Sequence, residues 1–270
     1  MIVQSTQPEA SPKVIRMREH LDLVAQLGRG FGNDLFAMLN PKSLMEYAIA
    51  HHDAGWDGVD RTLGIHPETG LPRNLLETPL EALVETGPGS ADFNEAHHPF
   101  CGLLVSMHAY GLLNGRYGLS DKIVVDVLPA EAQPMFRSML DRELVRQARL
   151  KTQLAADPET AEWVAEDTLF HNYKVLQFFD TLGLYFCLED ASTRGECRFL
   201  NVPRAVGDDV TVTVRPVSPG VYRVSPFPFA TDPFVVTLPG TVVTPHGEAA
   251  SAEAALAEGE GAIETITLVS

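Results

Sequence analysis

The sequence predicts a mainly α-helical protein with a small antiparallel β-rich subdomain at its C-terminal end. Three observations carry this prediction. Apolar residues recur at helical intervals along the chain up to about residue 195. Beyond that point the segments are short, β-branched and alternating, and Pro and Gly interrupt them. The 270 residues are 45% hydrophobic and 21% charged, which supplies a sizeable core and excludes a disordered chain. The chain accordingly divides into a flexible lead at 1–12, a helical body at 13–194 and a β-rich part at 195–270 packed on it.

The elements follow in order. SPKVIRMREHLDLVAQLG starts a first helix, with Ser11 as N-cap and Pro12 at the first helical position. Val14, Met17, Leu21 and Val24 form its core-facing stripe, and Gly28 ends it. PKSLMEYAIAHHDAGW gives a second helix, closing on His51 and His52 before Gly55. Residues 57–80 are rich in Gly, Pro and Asp and read as a long ordered loop, placed to act as a lid. A further helix runs from Pro99 through CGLLVSMHAYGLLNG. PAEAQPMFRSMLDRELVRQARLKTQL gives a long one with a polar side. DPETAEWVAEDTLFHNYKVLQFFDTLGLYFCLED is the strongest helical segment; its second half is apolar almost all round, so it crosses the interior. DVTVTVRPV, GVYRVSPFPF and PFVVTLPGTVV read as strands, ASAEAALAEG as a short helix and AIETITLVS as a last strand.

Charge and composition exclude several functions. Twenty Lys and Arg against thirty-six Asp and Glu give a formal charge of −16, so no general basic face exists for nucleic acid. A small-molecule substrate is the expected partner. Cys101, Cys187 and Cys197 form no CxxC pair; a thiolate zinc site is not expected, and reduced thiols suit a cytoplasmic protein. No run approaches ~18 apolar residues, and the first residues lack the pattern of a signal peptide. Neither a phosphate-binding glycine loop nor a nucleophile elbow is present.

The chemistry lies among the nine histidines. His20 sits in the first helix, His52-Asp53 closes the second, and Asp180 interrupts the apolar run QFFDTLGLYF. Imidazole and carboxylate together suit divalent transition metals such as Mn, Fe, Ni or Zn. A buried carboxylate is costly without a cation or hydrogen bonds. One ion held by His20, His52, Asp53 and Asp180 accounts for all four residues. Taken singly, each has a plainer reading: His20 as an ordinary helix histidine, Asp180 as a buried hydrogen-bond acceptor. His108, in an apolar helix, is a candidate ligand of a second ion or a substrate contact, and His98, just before Pro99, is a weaker one. His66 sits in the 57–80 loop, His171 on the face opposite Asp180, and His246 in a surface segment. Gln177 and Tyr173 share the face of Asp180.

The order His, His-Asp, Asp on successive helices resembles the HD-domain superfamily. More narrowly, EHLDLVAQLGRGFG, AIAHHDAGWDGVD, HPETGLP, LLVSMHAYGLL and SPFPF are similar to an uncharacterised bacterial family of unknown function. The resemblance implies an HD-like helical bundle with a first-helix ligand at His20, the pair at His52 and Asp53, and the distal carboxylate at Asp180. One position departs. Trp56 follows the pair where many HD enzymes carry a lysine that helps phosphate chemistry.

The resemblance implies three functions. In a metal-dependent hydrolase, by analogy acting on a small phosphoester, Asp53 orients water and His108 or His66 protonates the leaving group. An HD-type di-iron oxygenase needs two ions and further His ligands. A non-catalytic protein keeps the metal for stability or ligand binding. Arg61, Arg73 and Lys174 are the cations nearest the ligands in sequence.

Overall fold

The structure, a computed structural model, describes residues 1–6, 10–245 and 251–270. His246 lies outside the described residues. The helices are α1 (Met17–Arg29), α2 (Lys42–His51), α3 (Asp57–Thr62), α4 (Leu80–His97), α5 (Pro99–Leu113), the single turn α6 (Val124–Val127), α7 (Gln133–Ala155), α8 (Glu166–Leu188) and α9 (Ala252–Glu258). The strands are β1 (Ile2–Val3), β2 (Lys13–Ile15), β3 (Cys197–Ala205), β4 (Asp208–Ser218), β5 (Val221–Ser225), β6 (Phe234–Val242) and β7 (Glu260–Val269). They form one seven-stranded sheet in the order β1-β2-β6-β7-β5-β4-β3.

Helix α8 is the central element, as its apolar second half predicts. Tyr173, Phe179 and Phe186 are fully buried along it. It packs against α1, α2 and α5 and, through its C-terminal half, against β3. Helix α5 is buried from Phe100 to Ala109 and forms the second wall of the interior. Helix α7 lies outside it with one polar side, as expected. Among the described residues no helix is long and apolar enough to cross a membrane, and all three cysteines are free.

Four features differ from the sequence reading, each for a local reason. The lead expected to be flexible begins as a strand: Ile2 pairs with Ile15, and Lys13 continues onto Val242 of β6. Ile2, Val14 and Ile15 are fully buried, so β-branched burial wins over the Ser-Pro helix signal and α1 starts at Met17. The 57–80 segment is not all loop, because its first six residues form α3. Helix α4 has no counterpart in the sequence reading, since Gly87-Pro88-Gly89 at its middle reads as a breaker. A Cβ on Gly87 would stand 2.8 Å from Ala109 Cβ, so the glycine lets α4 approach α5 closely. The sheet, expected to be antiparallel, contains one parallel pair, β5 with β7. The chain returns after α9 to insert β7 beside β6, and antiparallel pairing with β6 leaves it parallel to β5.

Candidate metal centre

Helices α1, α2 and α8 meet at the foot of the core, and each delivers one element of the cluster. His20 projects from the buried face of α1, one turn before Val24. Asp180 projects from the middle of α8 and is 3% exposed. His52 is the last residue with helical dihedrals after α2, whereas Asp53 leaves the helix at φ −113° and ψ 24°. That departure lets two consecutive side chains turn toward one point.

The distances fit shared coordination rather than hydrogen bonding. His20 Nε2 and His52 Nε2 each lie 3.5 Å from Asp180 Oδ1, and His52 Nε2 lies 3.7 Å from Asp53 Oδ2. The ligand atoms of all four residues fall within 4.8 Å of one another. Hydrogen bonds to carboxylates are shorter than this, whereas donors ~2.0–2.2 Å from one ion stand about 3.0–3.6 Å apart. Nε2 of His20, His52 and His108 are all buried without a hydrogen-bond partner. Orphaned nitrogens of this kind on His20 and His52 are expensive unless something binds them, whereas His108 accepts the Gln177 amide N–H at Nδ1 and carries its own proton on Nε2. His52 Nδ1 donates to the Ile49 carbonyl at 2.9 Å, which puts its proton on Nδ1 and presents Nε2 as the free donor atom. A divalent cation fits this donor set, because two carboxylates and two neutral imidazoles balance its charge.

Helix α4 holds the turn that carries the pair. Ser90 Oγ accepts from the Gly55 N–H at 2.9 Å, and Asn94 Nδ2 donates to the His51 carbonyl at 2.8 Å. A Cβ on Gly55 would come within 2.1 Å of the Thr86 carbonyl oxygen, so only glycine allows this approach. Sequence reasoning missed Ser90 and Asn94, because it assigned no element to them.

The other candidates are placed differently. His108 joins the cluster: its Nε2 is 3.8 Å from Asp53 Oδ1, and its Nδ1 is 2.6 Å from the Gln177 amide. His98 does not. It caps α5, accepting from the Phe100 N–H at 3.1 Å, and ten residues of helix put it about 15 Å along the axis from His108. His97 stacks on Tyr47 at 3.5 Å. His66 accepts from the Glu68 N–H at 3.2 Å beside Glu77, away from the cluster. His171 is buried in α8 against the Ala205 backbone.

Asp53 is the member that reaches solvent, with 14% of its side chain exposed. It opens into a cleft of about 760 Å³ whose walls include Arg16, Arg18, Arg61 and Phe93, together with Asp57 and Asp60. Arg16 and Arg18 flank the true start of α1. Mistaking that start hid both from the sequence reading. Arg61 is paired with Asp57, and Lys174 is paired at 2.6 Å with Asp209, outside the cleft. Asp60 accepts from the Met17 N–H at 2.6 Å and from the Met1 amine, which makes α3 a fixed wall of the cleft.

Burial works against charge on His52, but Asp53 and Asp180 outweigh it and raise its pKa from 6.5 to about 9. Burial raises Asp53 less than His52 and His108 lower it, and Asp180 is held well below the usual carboxylate range by His20 and His52. At pH 7 His52 of the metal-free protein is therefore protonated, and a metal ion displaces that proton. Metal affinity is expected to rise about tenfold per pH unit above pH 7 and to level off near pH 9. Calorimetry in buffers of different ionisation enthalpy should show about one proton released at pH 7. In the metal-free protein the sign is opposite: the stabilising proton is fully present below 6.5 and lost as pH rises through about 9. An affinity flat across this range would remove His52 from the ligand set.

Residues 1–245 match a family described as a protein of unknown function, DUF3891. No curated protein and no solved structure matches the chain.

Proposed function

Because the chain belongs to the DUF3891 family, whose description assigns no reaction, we propose from its site that it is a metal-dependent hydrolase of HD type acting on a small phosphoester. One observation carries the reading: unpartnered imidazole nitrogens and two carboxylates converge at the end of a cleft bearing Arg16 and Arg18. The order His, His-Asp, Asp over α1, α2 and α8 supports the HD assignment.

His20, His52, Asp53 and Asp180 would hold one divalent ion, with Mn, Fe, Ni and Zn all suited to the donor set. Such an ion supplies Lewis acidity, polarising a scissile group and lowering the pKa of water toward neutrality. Asp53 faces the cleft, so its carboxylate orients the attacking water and accepts its proton. His108 faces the other oxygen of Asp53 and is the group positioned to exchange that proton. Arg16 and Arg18, which share the field of Glu19, line the cleft where phosphoryl oxygens would bind. They offer the positive charge that Trp56, buried in the core, does not.

The test pairs metal analysis with turnover of aryl phosphomonoesters and diesters. Arg16→Ala and Arg18→Ala should each raise KM about tenfold, the size of a lost charge-assisted hydrogen bond, while metal content stays unchanged. A protein with one ion per chain and no turnover on either ester class ends the hydrolase reading and leaves a non-catalytic metal protein.

One observation favours a second reading. The two oxygens of Asp53 face different imidazoles, His52 at 3.7 Å and His108 at 3.8 Å, as a carboxylate bridging two ions does. Two irons per chain in a coloured protein would favour an HD-type di-iron oxygenase; one ion in a colourless protein would dismiss it.

A further inference from the structure

A second concavity, independent of the metal cleft, runs between α8, the start of β3 and the turn at 115–120, with a volume of about 830 Å³. That size is typical of a small-molecule pocket. Its floor is a stripe of α8 at helical spacing: Gln177 and Phe178, Thr181, Leu184 and Tyr185, Leu188. None of these residues ligates the centre.

The two ends differ in charge. At one end stand Arg116, Lys174 and Gln177. Lys174 is neutralised by Asp209, so Arg116, which has no ion-pair partner among the described residues, is the uncompensated cation there. Gln177 is 5% exposed and gives its amide N–H to His108 Nδ1. At the other end, about 20 Å along the helix, stand Glu189 and Glu196. The middle is apolar, with Phe178, Leu184 and Phe199 on its walls, and Arg198 lies exposed on the strand side.

The backbone at Arg116 is strained to place it. Arg116 at φ 50° and Tyr117 at φ 55° are consecutive non-glycine residues in the left-handed region, between Gly115 and Gly118, both also at positive φ. Side chains rarely occupy that region, and strain of this kind collects where function needs it. Tyr117 anchors the turn by donating to Gln147 Oε1 at 3.0 Å and packing edge-on against Tyr173 at 5.1 Å. The outcome is a guanidinium lining the groove with no ion-pair partner among the described residues.

We propose that this groove binds an organic anion with an apolar body, a carboxylate on an alkyl chain or ring. The acid group pairs with Arg116, and the apolar body lies along Phe178, Leu184 and Phe199. The Gln177 amide and the His108 ring separate this acid group from the carboxylates of the metal centre, so the site is distinct from the hydrolytic cleft and does not require a bound metal.

Calorimetric titration with sodium decanoate, decanol and decylamine tests the proposal, on protein both stripped of metal and loaded with it. Decanoate should bind once per chain and at least about tenfold more tightly than decanol or decylamine, the size of a charge-assisted contact. Arg116→Ala should erase that difference by weakening decanoate alone. Arg116→Gly removes the charge while relieving the left-handed strain, so it keeps the fold and should give the same result. Equal affinity for decanoate and decanol, tighter binding of decylamine, no decanoate binding, or an unchanged affinity in Arg116→Gly would each overturn the proposal. Because the readout is binding with and without metal, a failure here leaves the hydrolase reading standing, and a failure of that reading leaves this one standing.

Discussion

Asp180→Ala is expected to abolish metal binding and to make the protein indifferent to chelation. Both imidazoles meet at this residue: His20 and His52 each place Nε2 3.5 Å from the same oxygen, Oδ1. Without it, two nitrogens and one partly exposed carboxylate remain, too few for a closed site. Metal content should fall from about one ion per chain to near zero, because a direct ligand costs more than the ~10–100-fold lost with an indirect one. A ligand that binds only the folded state stabilises it by mass action. Wild type should therefore lose melting temperature on chelation, and Asp180→Ala should show no further loss. The variant also changes the metal-free protein. Asp180 and Asp53 together raise the pKa of His52 to about 9. Removing one of them lets burial push it back down, so His52 sheds its proton more readily instead of staying charged and unpaired. That release keeps the stability loss below the ~3–5 kcal/mol of a broken buried ion pair. Asp180→Asn retains the volume and should lose metal equally. Stoichiometric metal in either variant would place the ion elsewhere.

The parts of the site legible in the sequence are those whose meaning is local. An Asp inside QFFDTLGLYF declares its own burial problem, and a His-Asp pair at a helix end declares a change of direction. His20 lies on the apolar face of an amphipathic helix and His108 on an apolar one, and the structure brings both close to Asp53 or Asp180. What escaped depends on distant partners. Helix α4 hides behind Gly-Pro-Gly because its glycines answer to Ala109 across a helix interface, not to their own neighbours. Strand β2 hides inside a helix signal because Lys13 and Val14 answer to β6, more than two hundred residues away. The mistaken start of α1 in turn hid the position of Arg16 and Arg18 at the cleft. His66 on the 57–80 loop and His98 before Pro99 read as candidates from their positions, but neither reaches the cluster. His98 serves as a helix cap, a use that sequence spacing does not separate from ligation. The parallel β5–β7 pair follows from a strand inserted between two earlier ones, which no local pattern encodes.

Gly183→Ala is expected to retain all four ligand residues and still weaken metal binding by about 10–100-fold, the range seen when the positioning of a ligand is lost. Gly183 lies on α8 one turn beyond Asp180. A Cβ there would meet Val24 Cγ2 at 2.4 Å and His20 Cε1 at 2.9 Å. His20 and Val24 are four residues apart on the same face of α1, so one methyl group strikes both and drives α1 away from α8. The intrinsic effect of the substitution has the opposite sign, because alanine favours a helix interior over glycine by ~1 kcal/mol. Any net loss of stability therefore measures crowding, for which ~1–3 kcal/mol is usual in a packed core. The double variant Gly183→Ala with Val24→Ala separates the two contacts. Trimming Val24 makes room for the methyl group and should recover much of the stability, but His20 stays displaced and the affinity stays low. Wild-type metal affinity in Gly183→Ala would mean that His20 is not a ligand, and that its 3.5 Å approach to Asp180 serves packing alone.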